Sequence, residues 1–484
     1  MLSSEKTPSE RRREQIASWY LHRAHRAMWN LPLTGGLLFL IGMILLRGTA
    51  EDPEANLVRS RAELLALAPP SIPNTENAAT DYATAQALKV GYVRPQNAPA
   101  SLESPANSIF KSSECYDDPS FRAIYAANAG AIAAILQGAS KERCNFGLNY
   151  LPGLSMNMPQ LGQMRDNARM LAGSARLSAH LGDHATAAKN IAAIYKMVPH
   201  VESDPMLISG LVGIAMCAIA DGAVESILAW DMPTKVEEVA AYRKAVWQKR
   251  DPAGRFVKVM HGEKTIGLYT IDCMFSGRLN PAAVTAMGLA NIPGGPVWYG
   301  SERKCYVSVM DELVNDPLQT PQRTRDFRAI IERHQVGPAI LAGLLIPVLD
   351  RAKSSFCASE EQARVTDVGL AVLQFRLARG RDPKTLDELV PEFLQALPHG
   401  VFADVPLILR VDSEGVIEQD GKGVATVRDS GTLRVYAFGP NGQDDKGYKK
   451  DLARFYSEGV DDTVFCIPPM TRTPPKPMEA GKKK

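Results

Sequence analysis

The chain has 484 residues, a formal net charge of +2 and 45% hydrophobic residues. This length exceeds what one small core needs, and it predicts two or more domains. The charge is close to balanced, and no basic stripe with interleaved aromatic residues occurs in the sequence. Nucleic acid is therefore excluded as an expected partner.

The first predicted element is a transmembrane helix over residues 28–46, from Met28 to Leu46. These nineteen residues, MWNLPLTGGLLFLIGMILL, contain no charged side chain. A helix of that length spans about 28 Å, which is close to the hydrocarbon thickness of a bilayer. We therefore expect a single-pass membrane protein that contacts the lipid bilayer through residues 28–46. A cleaved signal peptide, with Gly48-Thr49-Ala50 as the cleavage site, is the alternative.

The charges on either side of residues 28–46 predict the orientation. The leader, residues 1–27, carries Lys6, Arg11, Arg12, Arg13, Arg23 and Arg26, whereas Glu51, Asp52 and Glu54 follow the apolar run. Positive charge stays on the cytoplasmic side. We expect the protein in the bacterial inner (cytoplasmic) membrane, with a cytoplasmic N-terminus and the bulk of the chain in the periplasm.

Two shorter apolar stretches, residues 206–220 and 336–349, resemble membrane spans in composition. Both are shorter than a bilayer requires, and runs of this length are more typical of buried core helices. We expect core helices, although the sequence alone leaves open whether either stretch inserts.

Residues 48–117 are rich in Pro and Asn and are predicted to be a stalk or an irregular segment, apart from a helical patch at 56–67. Residues 118–359 are predicted to be a helical body that opens with Asp118-Pro119 as N-cap and first helical residue. Within it, helices at 159–180 and 184–198 are separated by Gly182-Asp183. This hairpin, over 163–199, resembles one tetratricopeptide repeat. Ser203-Asp204-Pro205 is predicted to cap the next helix.

Residues 360–468 change character and predict a small α+β domain. A helix over 361–379 ends at Gly380, and Thr385 to Glu388 forms an S/T-x-x-E capping box before a short helix through Leu394. Strands are predicted at 405–411, 416–418, 432–438 and 463–467. Residues 469–484 are predicted to be a disordered tail. The expected fold is mainly α: one N-terminal transmembrane helix, a helical-hairpin body, then a helix with a small antiparallel sheet.

The number and spacing of the cysteines bear on whether disulfides form, which depends on the cellular compartment. The seven residues, at positions 115, 144, 217, 273, 305, 357 and 466, show no C-x-x-C pair and no zinc-ligand spacing. In an oxidising envelope compartment, six of them could form disulfides. Cys217, inside an apolar helix, is the one expected to stay outside any bridge.

Three C-terminal segments carry a family resemblance. They are Leu377 to Pro383 (LARGRDP) with Thr385 to Pro391 (TLDELVP), the pair Leu397-Pro398, and Tyr436 to Asp445 (YAFGPNGQDD) with Asp461-Asp462 after it. Together they resemble the globular part of major pseudopilins of type II secretion. The chain as a whole resembles large, single-anchor membrane proteins of planctomycete-type bacteria. Its long leader and the lack of Glu in residues 28–46 argue against assembly into a pilus.

The resemblance implies a calcium-binding loop near the C-terminus. By position, the candidate ligands are Asp444, Asp445 and Asp462, and calcium prefers six to eight oxygen ligands. The alternative interpretation is a β-turn at Pro440-Asn441-Gly442 with solvated aspartates beside it.

No catalytic motif accompanies these features. His180 and His184 have the spacing of a zinc-binding helix, but Gly182 breaks the helix between them, and Ser301 to Lys304 fits S-x-x-K without its companion motifs. We therefore expect a binding or scaffolding protein of the cell envelope, with other envelope proteins as partners. Two alternatives stay open: an envelope hydrolase with a dispersed active site, and an accessory component of a secretion or pilus-like apparatus.

Overall fold

The structure is a computed structural model that describes residues 52–91, 113–246, 252–278, 296–315, 340–412, 416–419, 425–428, 430–447 and 462–470. These residues contain eleven α-helices, one three-stranded sheet and one two-stranded sheet. The prediction of a mainly helical protein with a small antiparallel sheet is therefore confirmed. The predicted transmembrane helix at 28–46 and nearly all of the predicted tail lie outside the described residues.

The helices are numbered here in chain order. They are α1 Pro53–Ala66, α2 Ala78–Leu88, α3 Pro119–Ala127, α4 Ala129–Ser140, α5 Pro159–His180, α6 His184–Val201, α7 Leu207–Trp230, α8 Val236–Val246, α9 Pro252–Phe275, α10 Pro296–Asn315 and α11 Ile340–Arg379. The strands are β1 Ile408–Val411, β2 Val416–Gln419, β3 Ala425–Arg428, β4 Leu433–Ala437 and β5 Thr463–Ile467.

Two packed helices lie in the segment predicted to be a stalk or irregular: α1, which overlaps the predicted helical patch at 56–67, and α2, which was not predicted. Asp52 caps α1 by accepting a hydrogen bond from the Glu54 amide at 3.0 Å, and Asn77 caps α2 by accepting one from the Ala79 amide at 3.1 Å. Helix α1 packs on α9, and α2 packs on α4. The Pro-rich sequence between them concealed α2, because its buried face (Asp81, Tyr82 and Ala85 among others) includes a charged residue.

The hairpin of α5 and α6 follows the prediction closely. Helix α5 has the predicted bounds, and α6 begins as predicted and continues to Val201. Gly182 adopts a φ of +83°, a left-handed conformation that favours glycine, at the turn. Asp183 then caps α6 by accepting a hydrogen bond from the Thr186 amide at 2.9 Å. Local signals were sufficient here because the turn and both caps are formed by neighbouring residues.

The predicted cap at Ser203-Asp204-Pro205 is wrong. Helix α7 begins at Leu207, whose amide donates to Glu263 Oε2 on α9 at 3.1 Å. Asp204 is fully buried and instead accepts a hydrogen bond from the Tyr150 hydroxyl. The N-terminus of α7 is thus satisfied by a residue far away in sequence, which no local pattern could indicate.

Among the described residues, helix α7 is the one single helix that is long and apolar enough to cross a bilayer. Helices α3 and α4 reach that length and hydropathy only when they are counted together, and they are bent by 52° relative to each other. In the structure 61% of the most apolar window of α7 is buried. Helix α7 contacts α5, α6, α9 and α11 as well as β5. These contacts support the expectation that residues 206–220 form a core helix.

Helix α11 connects the helical body to the sheet. It begins at Ile340, earlier than the predicted start at 361, and runs without a break through the predicted domain boundary at 359/360. One side of α11 contacts α7 and α8, and its C-terminal half contacts β4 and β5. Side chains of the hairpin, α7, α8, α11 and the sheet belong to one hydrophobic core. Residues on both sides of the expected boundary therefore contribute to the same core.

Strand β4 is the central strand of the three-stranded sheet, with β1 and β5 antiparallel on either side. All five of its residues are buried. Leu433, Val435 and Ala437 join the large core, whereas Arg434 and Tyr436 point to the other face, as strand alternation requires. This second face lies under the loop that contains the predicted calcium ligands.

Details of residues 380–428 differ from prediction. The predicted helix through Leu394 is a short 3₁₀ helix, Leu386–Leu389. Only half of the capping box forms: the Glu388 carboxylate accepts from the Lys384 amide at 2.6 Å and pairs with Arg381, whereas Thr385 makes no side-chain cap. Strand β3, which pairs with β2, was not predicted.

No disulfide joins any of the seven cysteines, all of which lie in the described residues. The disulfides that the sequence left possible for six of them are therefore not formed in the structure. The buried cysteines are distributed over three hydrophobic clusters, where they pack as small apolar side chains: Cys144 and Cys217 in the first, Cys305 and Cys357 in the second, Cys273 in the third.

We expect seven titratable thiols in the denatured protein, with or without prior reduction. In the native protein the five buried thiols should react with Ellman's reagent far more slowly than Cys115 and Cys466, which are only half-buried. Protein purified without reductant and denatured immediately provides the measurement. Fewer than seven thiols that rise to seven after reduction would contradict the structure.

Candidate functional site

The candidate site is the loop that follows β4, residues 438–447, together with the residue before β5. A β-turn opens the loop, because the Gly442 amide donates to the Gly439 carbonyl at 2.9 Å. Asn441 supports this turn by accepting a hydrogen bond from the Gln443 amide at 2.8 Å. The loop closes with Lys446 and Gly447, both in the left-handed region with φ of +62° and +70°. The turn foreseen in the alternative interpretation is therefore present.

The three predicted aspartates occupy different environments around this loop. Asp444 is exposed and accepts hydrogen bonds from the Tyr436 hydroxyl at 3.1 Å and from the Lys446 amide at 2.8 Å. Asp445 is half-buried and accepts from the Asn441 side-chain amide at 2.7 Å. Asp462 is only 4% exposed and accepts from the Gly447 amide at 2.8 Å. Asp462 is thus not the solvated aspartate of the alternative interpretation.

Asp462 is the electrostatically unusual member of the three. Burial, together with the charges of Asp445 and Asp444, raises its pKa to about 6 against the opposing hydrogen bonds from the Gly447 and Gly439 amides. Its Oδ1 atom is buried and has no hydrogen-bond partner among the described residues. A buried carboxylate oxygen of this kind would be stabilised by a cation.

Arg434 forms the floor of the site. Its guanidinium donates to the carbonyl oxygens of Lys446 at 2.9 Å and of Gly447 at 3.1 Å, and it pairs with the buried carboxylate of Asp412. Arg434 therefore already occupies two carbonyl oxygens of the loop. A metal ion at this loop would depend on the carboxylates rather than on these carbonyls.

The negative charge of the three aspartates and the unpartnered Oδ1 of Asp462 fit a cation, but the side chains are not arranged as a complete set of metal ligands. Across the part of the chain that the structure describes, no three His, Cys, Asp or Glu side chains form a group that could hold a metal ion. Asp451, Glu458 and Asp461 lie outside the described residues. Calcium binding by Asp444, Asp445 and Asp462 stays a prediction. The three carboxylates would move closer to the ion, and its positive charge would offset the repulsion between them.

Replacing Asp462 by Asn is expected to flatten the pH dependence of stability between pH 4 and 7. Because the folded-state pKa of Asp462 lies above the unfolded value, its contribution to stability is complete below the unfolded pKa, about 3.9, and is lost as the pH rises through about 6. The Asp462→Asn protein should therefore be more stable than wild type at pH 7.5, by up to about 3 kcal/mol. Thermal unfolding at several pH values measures this difference.

The Asp462→Asn variant also distinguishes a calcium site from three carboxylates that merely repel one another. If the three carboxylates bind calcium, millimolar calcium should raise the melting temperature of wild type at pH 7.5 but not that of Asp462→Asn. Asp166→Asn, at an exposed position on α5, is the control and should respond to calcium as wild type does. An identical pH profile and calcium response in all three proteins would show that Asp462 is not part of a cation site.

The two histidines of the hairpin have separate structural roles. His180 lies between two carboxylates, with Nδ1 2.9 Å from Asp231 Oδ1 and Nε2 3.0 Å from Asp117 Oδ1. Burial lowers the pKa of His180, but its hydrogen bonds to Asp117 and Asp231 outweigh that effect and leave the pKa raised. His184 is buried, and its Nδ1 bonds the Tyr242 hydroxyl at 3.0 Å. They therefore do not form a zinc pair.

Sequence reasoning missed a strongly perturbed buried carboxylate, Glu361. Burial raises its pKa to about 7, although the amides of Val401 and Phe402 and the charge of Arg364 favour its ionised form. Its contacts fasten the loop after Leu397-Pro398 to α11. No spacing in the sequence marks Glu361. Arg434, in contrast, was detectable as a charge inside the apolar run Leu433–Ala437.

Comparison of this chain with protein-family models, with curated proteins and with solved structures finds no match. The resemblance to pseudopilins therefore rests on the quoted motifs and stays a prediction.

Proposed function

We propose that this chain is a single-pass protein of the bacterial inner membrane whose periplasmic part is a non-catalytic scaffold. Residues 28–46 anchor it in the bilayer, with the basic leader in the cytoplasm. The helical body and the C-terminal sheet act as one rigid support that presents surface loops, including the Asp444–Asp445–Asp462 loop, to other envelope proteins.

The shared core is the observation that carries this proposal. Helix α11 lies between α7 and α8 on one side and the sheet on the other, and all of them contribute to one hydrophobic core. Across the contact with α8, Arg243 pairs with the buried carboxylate of Asp367 on α11, with Nε 2.6 Å from Oδ1. Because the packing is continuous, the helical body and the sheet keep fixed positions relative to each other, as a scaffold requires.

The buried ionisable groups support a structural rather than a chemical role. Glu202 pairs with Arg255 of α9, Asp204 accepts from Tyr150, and Glu361 accepts from the Val401 amide. Each contact joins segments that are distant in sequence. These three perturbed carboxylates therefore act as ties between elements, whereas a catalytic role would bring such groups together in one cleft.

A second candidate is an accessory role in a secretion or pilus-like apparatus. The order of helix, turn and antiparallel sheet in residues 340–467 supports it, because the pseudopilin resemblance implies that order. In this role the loop after β4 would be the contact surface, and calcium would order it.

Protease accessibility in spheroplasts tests the proposed topology. Full-length protein with a C-terminal epitope tag is expressed in a Gram-negative host and treated with protease before and after outer-membrane permeabilisation. We expect the tag to be lost only after permeabilisation, while a cytoplasmic marker stays intact and carbonate extraction leaves the protein in the membrane. A tag that survives in permeabilised cells would contradict the orientation. Release of the protein by carbonate would contradict the anchor.

A further inference from the structure

The first helix after the predicted anchor has an apolar side that nothing in the described structure covers. Leu57, Ser60 and Leu64 of α1 are buried against the body. Val58 and Leu65, in contrast, are 72% and 47% exposed. They are seven residues apart and therefore lie on the same face of the helix, with the exposed Ala62 between them.

Other exposed apolar side chains are close in sequence to the residues that pack around α1. Leu57 and Leu64 pack in a small cluster with Tyr150, Met206, Ile266, Tyr269 and Cys273, called here the α1 cluster. Five of the twelve large apolar side chains exposed in the described residues lie within two positions of a side chain in or against this cluster. They are Val58, Leu65, Leu151, Leu154 and Ile208. Within this set, Val58 and Leu65 share one face of α1, and that face is the candidate contact surface.

The covalent chain limits where this surface can be. Only seven residue steps separate Leu46, the end of the predicted span, from Pro53, the first residue of α1. Fully extended, they reach about 25 Å. Whatever path they take, Pro53 is held within that distance of the outer membrane surface, and Leu65 lies about 18 Å from Pro53 along the helix. Such a tether creates a high effective concentration of lipid around α1, so even a modest apolar face can bind.

We propose that the Val58 and Leu65 face of α1 lies in the interface of the bilayer that carries the anchor, a proposal that rests on the anchor in the proposed function. Apolar side chains of an interfacial helix enter the boundary between headgroups and acyl chains, and the neighbouring Arg59 and Arg61, both exposed, contact lipid phosphates. The contact fixes the orientation of the body relative to the membrane, because α1 packs firmly on α9.

Site-specific photo-crosslinking in the intact protein tests this contact. Full-length protein carries p-benzoylphenylalanine in place of Val58 or Leu65 and is reconstituted into vesicles of phosphatidylethanolamine and phosphatidylglycerol. Glu63, exposed on a different side of α1, and Leu181, an exposed leucine in the turn between α5 and α6, are the matched control positions. Mass spectrometry counts lipid adducts after illumination, and carbonate extraction beforehand reports whether the anchor is inserted.

We expect several-fold more lipid adduct from positions 58 and 65 than from positions 63 and 181. Equal lipid yields at all four positions, in protein that resists carbonate, would overturn the surface contact and leave the anchor intact. Adducts of twice the protein mass at 58 and 65 would overturn it in favour of a second copy of the chain. Release by carbonate would overturn the anchor and this contact together.

Discussion

Replacing Arg434 by Met is expected to destabilise the protein by about 3–5 kcal/mol. Arg434 and Asp412 are each about 1% exposed as side chains and form an ion pair inside the sheet region. Without the guanidinium, the Asp412 carboxylate and the carbonyl oxygens of Lys446 and Gly447 lose their donor in a place that water does not reach. The loop that holds Asp444 and Asp445 should therefore loosen together with the sheet.

Two further variants make the Arg434 prediction specific. Arg410→Met removes the half-buried arginine that lies opposite Arg434 in the β1–β4 register, and it should cost far less. The double variant Arg434→Met with Asp412→Leu removes both charges and should recover most of the lost stability. Urea unfolding of the full-length protein measures all of them. The buried pair would not be the support described here if Arg434→Met and Arg410→Met were equally mild.

Replacing Gly262 by Ala is expected to cost about 3 kcal/mol, the upper part of the range for overpacking. Helix α9 passes so close to the segment before α7 that an ideal Cβ at Gly262 would lie 1.5 Å from the Pro205 carbonyl oxygen. That oxygen belongs to the backbone, so it cannot rotate away as a side chain would. The two segments must separate, and the neighbouring bond between the Leu207 amide and Glu263 should weaken with them.

Gly162→Ala is the matched control for Gly262→Ala. Gly162 is also helical, but an added Cβ there meets no heavy atom within 4 Å. Its replacement should stabilise the protein by about 0.5–1 kcal/mol through helix propensity alone. Opposite signs for the two substitutions in urea unfolding would confirm the close approach of α9 to Pro205. A neutral or stabilising effect at Gly262 would contradict it.

The sequence predicted those elements whose signals are local. Strand β5 has the predicted bounds, and the α5–α6 hairpin was recognised because Gly182 and Asp183 form both the turn and the next cap. The apolar content of residues 206–220 likewise indicated a core helix, and residues 207–220 lie in α7. In each case, the residues that determine the structure are close together along the chain.

The sequence was insufficient where distant residues decide the structure. The Leu207 amide is satisfied by Glu263, not by Asp204, so the cap was misassigned. The environment of Asp462 depends on Gly447 and on two aspartates of another loop, and the role of Glu361 depends on the Val401 amide. The candidate site could be named from a resemblance, but its electrostatics required the fold.

Hydrogen exchange of the full-length protein in lipid nanodiscs tests the central claim, that the helical body and the sheet are one unit. The amides compared are those in the middle of α7, in the C-terminal half of α11 and in β4. Because these elements share one core, we predict that the slowest amides of all three exchange with the same opening free energy, which is that of global unfolding. Exchange of β4 through a separate opening of distinctly lower free energy, with α7 still protected, would contradict the account.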